Sequence, residues 1–306
     1  MLLAKINNRA CALETGRSTR LSLFCALGFL GVLALTGLPC LPAGAQREKT
    51  LDFPSKPQSR QILSIPDSCH TQGIAFDDDF FYLSCAAKKD KKAWVYRIAR
   101  PDLGKGGKDS PVSFEKIDVT EGAQYHPSGL DTNGLCLWVA VADYHPAPAA
   151  STFKCINRRY FEEDRGMEFK FNDHIGTIAC SRKWMLAINW DAKIFYLVDY
   201  SGKSFTKGVN RSGASYQDCK HFREDLFICA GPAGKISGTG YLDLLEISDE
   251  PKAWSMKQRA VVSKTGRKLL TAANEGMAFE GTIFYFVPDD LPNAVLYRFA
   301  FPQFFE

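Results

Sequence analysis

One unit recurs along this chain. It is first complete between His70 and Ile98, where His70-Thr71-Gln72-Gly73 opens an apolar stretch to Phe76. The acidic turn Asp77-Asp78-Asp79 follows, then Phe80 to Cys85, a polar loop to Lys92, and Trp94 to Ile98. That order is strand, tight turn, strand, loop, strand. Four further openers begin the same sequence of signals: His126-Pro127-Ser128-Gly129, Asp173-His174-Ile175-Gly176, Tyr216-Gln217-Asp218-Cys219 and Ala273-Asn274-Glu275-Gly276. Their last positions lie 56, 47, 43 and 57 residues apart by subtraction, a mean of about 51, the length of one propeller blade. Short strands at that spacing, with turn signals between them, predict an all-β chain built by radial repetition.

Each opener runs into a second strand, such as Leu135 to Val139, Trp184 to Ile188, Leu226 to Cys229 or Ile283 to Val287. Third strands follow at Phe153 to Ile156, Ile194 to Val198, Tyr241 to Ile247 and Val295 to Phe299. Outer strands are expected at Val112 to Val119, Met167 to Phe171, Ser204 to Val209 and Trp254 to Val262. The last repeat has no fourth strand after Phe299, while Gln61 to Ile65 reads as an orphan strand ahead of the first opener. The expected fold is therefore a five-bladed β-propeller over residues 60–306, its ring closed by residues 60–65 so that no blade edge is left open. A sixth blade would need a further repeat, and none is found.

Residues 1–45 differ from the rest. Lys5, Arg9, Arg17 and Arg20 precede an apolar run from Leu21 to Leu41, and Ala43-Gly44-Ala45 has the small-x-small form of a cleavage site. They are expected to be a secretory leader, with 46–59 a linker carrying Pro54 and Pro57. Export would place the mature chain outside the cell or in the periplasm. A retained leader would anchor it, although Leu21 to Gly37 is at the short limit for a membrane span. The leader also carries three of the four net positive charges, which leaves the mature chain near neutral and without a basic stripe for nucleic acid. The Lys88 to Lys92 cluster reads as a solvated loop. Seven cysteines remain, Cys69, Cys85, Cys136, Cys155, Cys180, Cys219 and Cys229. An odd count leaves at least one unpaired within the chain. Cys219 and Cys229 flank one hairpin, and the other pairings stay open.

If each opener begins an innermost strand, all five meet at one mouth of the central channel. Strands alternate in direction, so the loop after each second strand reaches the same face. Those loops carry Lys88 to Lys92, Asp143-Tyr144-His145, Asn189-Trp190-Asp191, Ala230 to Gly240 and Asp289-Asp290. The expected ligand-binding set is His70, Gln72, His126, His145, Asp173, His174, Trp190, Asp191, Asp218, Asn274 and Glu275. Four of the chain's five histidines fall in it. Tyr144 is a further candidate for the pocket rim. Carboxylates beside amide oxygens suit calcium, and histidines beside carboxylates suit zinc, so Glu275, Asp218 and His126 are the candidate metal ligands. Asp173 next to His174 has the form of a base with its orienter, and equally that of a loop cap. Asn210-Arg211-Ser212 fits a glycosylation acceptor.

Thr71-Gln72-Gly73 with Tyr82-Leu83-Ser84 and Trp94 to Ile98 is similar to the first blade of the five-bladed glutaminyl cyclases. Asn189-Trp190-Asp191 resembles a later blade of that family. The resemblance implies the propeller, a metal in the channel and an acidic catalytic residue; Leu83 stands where that family has its glutamate. Asn274-Glu275-Gly276 is more loosely similar to the gluconolactonase and senescence-marker propellers, which hold calcium through Glu, Asn and Asp. The openers His126 to Leu130 and Asp173 to Gly176 resemble a family of uncharacterised exported propellers.

Two functions follow as expectations. One is an exported propeller, monomeric, that takes a small molecule, peptide or ion at the channel mouth. The other is a metal-assisted hydrolase, lactonase or cyclotransferase-like enzyme that uses His and Asp or Glu at the same face.

Overall fold

Five antiparallel sheets follow one another around a ring in the computed structural model, which describes residues 49–103, 112–145, 149–234, 238–250, 254–263 and 271–306. The expected leader and the Gly104 to Lys108 stretch lie outside the described residues. The first blade runs from the inside outwards as His70–Phe76, Phe80–Ala87, Lys92–Ala99 and Glu115–Asp118. In the second, Gln124–Pro127 lies inside Cys136–Asp143 and Ser151–Asn157, with Phe169–Phe171 and the short Glu162–Glu163 outermost. The third is Ile175–Cys180, Trp184–Asn189, Ile194–Asp199 and Phe205–Val209, and the fourth Asp218–Arg223, Leu226–Pro232, Gly240–Glu246 and Ser255–Val262. Gly276–Glu280, Ile283–Val287 and Val295–Ala300 make the fifth. No α-helix occurs among the described residues.

The fifth blade takes its outer strand from the other end of the chain. Ser59–Ile62 pairs antiparallel with Val295–Ala300, Ile62 opposite Val295 and Ser59 opposite Arg298. Leu63 continues the contact by donating its N–H to the Ala294 carbonyl at 2.9 Å. The expected closure by residues 60–65 is what forms. The 46–59 segment, expected as a linker, holds more structure than its polar composition signals. Lys49–Asp52 adds a parallel fifth strand to the fourth blade, alongside Gln258 to Val261. The reason lies one residue further on: Phe53 is buried among the rings of Phe284, Phe286, Phe299 and Phe301.

Middle strands read as continuous apolar runs because both of their faces are buried. Leu137 and Val139 pack with Tyr82 and Val95 between the first and second blades, while Trp138 on the opposite face packs with Phe153, Ile178 and Met185 between the second and third. Leu186 and Phe195 meet Tyr216 and Phe227. Ile228 and Leu242 meet Met277 and Phe284. Val287 and Leu296 meet Ile74 and Leu83. There is thus one apolar core for each pair of neighbouring blades, the fifth joining the last blade to the first.

Among the described residues three disulfides fasten the blades, Cys69–Cys85, Cys136–Cys155 and Cys219–Cys229. Cys180 is the free, buried thiol. Disulfides persist in oxidising compartments, so these three fit a location outside the cytosol. No helix among the described residues is long and apolar enough to cross a membrane.

Candidate functional site at the channel mouth

The glycines that end the first two openers have a steric cause. Inner strands converge so closely at the axis that a Cβ on Gly73 would lie 2.5 Å from Gly129 Cα, and one on Gly129 2.7 Å from Asp218 Oδ1. Backbone approaches backbone there, and only glycine permits it. The residues just before these glycines are consequently brought to the rim of the channel.

On one side of that rim His70 is bracketed by carboxylates. Its Nδ1 lies 2.8 Å from Asp290 Oδ1, and its Nε2 lies 4.0 Å from Glu275 Oε1. Asn274 Nδ2 donates to that same Glu275 oxygen at 2.9 Å. Burial opposes charge on His70, but the Asp290 hydrogen bond and the two carboxylate charges outweigh it, so its pKa lies above the ordinary value. On the other side His126 Nδ1 meets His174 Nε2 at 3.0 Å across the gap between the second and third blades. Both rings are buried. Burial, reinforced by electrostatic opposition from His174, His70 and Lys88 to a second positive charge, pushes His126 down to about 3. Burial also lowers His174, against the pull of Asp173 and Asp143. The mouth therefore holds one histidine whose surroundings favour its charged form beside a pair whose burial favours the neutral form. His174 Nδ1 is buried with no hydrogen-bond partner. An orphan acceptor costs less than an orphan N–H, which favours the tautomer in which His174 Nε2–H donates to His126 and His126 Nε2 carries a proton. That nitrogen makes no hydrogen bond among the described residues and is not sealed off.

Aromatic rings line the same rim. Tyr144 stands edge-on to His126 at 5.1 Å and stacks on Tyr125 at 5.4 Å. Trp190 lies 5.9 Å from His174 and is 44% exposed, which gives a ligand a flat apolar surface. Lys88 lies in an exposed turn, as expected of a solvated loop, and its ammonium also stands 4.8 Å over the Tyr144 ring.

Not every expected residue joins this group. Asp173 spends one oxygen on the His174 backbone N–H at 2.8 Å and the other on the Tyr196 hydroxyl at 2.7 Å, so it caps the loop and does not orient the His174 ring. Gln72 turns its amide to the Thr71 carbonyl at 3.0 Å. Asp191 is exposed and pairs with Lys193 at 2.6 Å. His145 is exposed, 5.9 Å from Tyr144. Asn210 spends both amide donors on the Ala192 and Ala214 carbonyls at 2.6 and 3.0 Å.

Asp218 lies within the ring's packing. It is fully buried and accepts N–H groups from Ile74 at 3.1 Å, Met277 at 3.0 Å and Cys219 at 3.0 Å, with the Lys220 ammonium at 2.5 Å. Burial raises its pKa against the pull of Lys220. Its lone pairs serve the first, fourth and fifth blades, which is the work of a structural pin. Among the described residues no group of three or more His, Cys, Asp or Glu side chains has a metal-holding arrangement. Leu83, at the position where the cyclase resemblance implies a glutamate, is fully buried in the core between the first and fifth blades, away from this rim.

The repeat rule brings the Asp289-Asp290 loop to this face but does not single out Asp290 as the partner of His70. The signal was positional, since Asp290 follows its second strand as Asp143 and Asp191 follow theirs.

The model of one protein family matches residues 49–301, from the added parallel strand almost to the end of the ring. The chain belongs to the family of unknown function DUF6454. No curated protein matches it. Among solved structures it is similar to a glutaminyl cyclase from Myxococcus xanthus, with 11% identity, TM-score 0.51, and coverage of 79% of this chain and 94% of the other. That likeness is one of fold. A protein of unknown function from Bacteroides caccae is also similar, at 12% identity, TM-score 0.43, and coverage of 73% of this chain and 72% of the other.

Proposed function

We propose that this DUF6454 member is an exported propeller that binds a small polar molecule, peptide or ion at the channel mouth. The observation that carries this reading is the pairing of two electrostatic environments within one rim. His70 with Asp290 and Glu275 offers charge, His126 offers a neutral ring with one free nitrogen, and Trp190 with Tyr144 offers apolar surface. Convergent polar groups beside aromatic rings are what small-ligand sites share. The secretory leader ending near Ala45 and a periplasmic or extracellular location belong to the same proposal, supported by the three disulfides.

A second reading is an enzyme of the hydrolase, lactonase or cyclotransferase kind, with or without a divalent cation. It is favoured by the opposite pKa shifts of His70 and His126, since groups pushed apart in this way can divide acid and base roles.

Isothermal titration with zinc chloride, calcium chloride and a short peptide bearing N-terminal glutamine tests both readings. Glu275→Ala and His126→Ala are expected to weaken whichever titrant binds, while circular dichroism stays unchanged. Unaltered binding together with lost folding would make these residues structural pins. A tightly bound stoichiometric metal, or turnover of the peptide, would move the assignment to the enzyme.

A further inference from the structure

A cleft of about 510 Å³ opens between the first and second blades. It is built from the turn that joins the two inner strands of the first blade and from two turns of the second. Those turns lie at the ends of strands opposite to the ends that reach the mouth.

Its walls are braced. Asn157 caps its own turn by accepting the N–H groups of Arg159 and Tyr160 at 3.0 and 3.2 Å. The Arg158 N–H reaches the Leu135 carbonyl at 3.2 Å, and its guanidinium reaches the Gly134 carbonyl at 2.8 Å and Asp77 at 2.8 Å. The Cys136–Cys155 disulfide ties together the strands that carry both turns. Phe161, which closes the second turn, is held at φ 56, a left-handed conformation that is costly for an aromatic residue. A strained and tied turn of this kind fixes the direction of the side chains it presents.

What it presents is amphiphilic. Leu135 is 66% and Tyr160 63% exposed, two of the few large apolar side chains left open on the surface. Arg158 is consumed by Asp77, but the Arg159 guanidinium has no ion-pair partner among the described residues and touches only the Tyr160 ring, at 5.5 Å. The Asp79 carboxylate, which has no ion-pair partner among the described residues, lies on the first-blade rim, so an anion is directed to the second-blade side. We propose that this cleft is a second ligand site, separate from the mouth, for a small amphiphilic carboxylate: an apolar body between Leu135 and Tyr160, its carboxylate paired with Arg159.

The test uses the full folded chain with 8-anilinonaphthalene-1-sulfonate as fluorescent probe and octanoate as competitor. The wild type is expected to bind the probe saturably and release it to octanoate but not to octanol. Arg159→Gln is expected to weaken octanoate about tenfold, the loss of one charge-assisted contact. Leu135→Ser weakens both ligands, and the mouth variant Glu275→Gln changes neither. All three positions can be checked by thermal melts, and Arg159 and Leu135 point away from the core. No saturable binding, an unchanged Arg159→Gln, or a loss in Glu275→Gln would each overturn the proposal; the last would send the probe to the mouth.

Discussion

His126 and His174 come from neighbouring blades and meet nitrogen to nitrogen at 3.0 Å, with no carboxylate among the described residues hydrogen-bonded to either ring. Two imidazoles can share one proton in that contact but cannot both be charged in it, since like charges in a buried site repel.

Acid should therefore loosen the fold through this pair. A histidine whose folded pKa is depressed contributes stability above its unfolded value, and that stability is lost as pH falls through the folded value. For His126 the window runs from 6.5 down to about 3. At pH 5 the unfolded chain gains a proton that the fold refuses, a loss of ~2 kcal/mol at 1.36 kcal/mol per pH unit. Thermal melts between pH 7 and pH 4 should show a falling midpoint, with a shallower fall in His126→Gln. Parallel curves would mean that the acid sensitivity comes from the carboxylates.

His70 should respond in the opposite sense. Its raised pKa depends on Asp290 and Glu275 against the cost of burial. Asp290→Asn should shift the His70 titration, followed by NMR of the ring protons, to lower pH. An unmoved midpoint would mean that Asp290 does not hold the proton in place.

Removing the carboxylate of Asp218 should destabilise the ring by about 3–5 kcal/mol, because the Lys220 ammonium is left buried and unpaired. Denaturant melts of Asp218→Ala should show this, and Lys220→Met in the same chain should restore part of it. A small effect in Asp218→Ala would return this residue to the list of candidate ligands.

Phe53→Ala should cost about 3–5 kcal/mol, as for other fully packed rings. Deleting residues 46–66 should cost more than that, since it leaves Val295–Ala300 as an open edge. Limited proteolysis should then cut first in the fifth blade. Cleavage confined to the fourth blade would show that the parallel strand, not the closing strand, holds the ring.

Much of the architecture was legible because a propeller writes one local rule five times. The openers, the apolar second strands and the orphan strand before Cys69 are local signals, and the ring follows from repeating them. Lys49–Asp52 was not legible, since a single Leu51 among three polar residues carries no strand pattern and the pairing depends on Phe53 finding a pocket made by distant residues. At the mouth, position predicted proximity but not partnership. His70 and Glu275 were placed together by the repeat rule, yet Asp290 joins them from a loop whose conformation no periodicity specifies. Asp218 shows the limit of the rule, because the same register that brings a side chain to the axis can turn it inward to backbone N–H groups from two other blades.

Ser59–Ile62 and Val295–Ala300 stand 233 positions apart, counted from Ile62 to Val295, yet they are hydrogen-bonded neighbours. During synthesis the first of these strands emerges ahead of the first blade and has no partner until the third strand of the fifth blade arrives. The ring can close only once the fifth blade exists, and a nascent chain halted before it would leave the arc of blades unlatched.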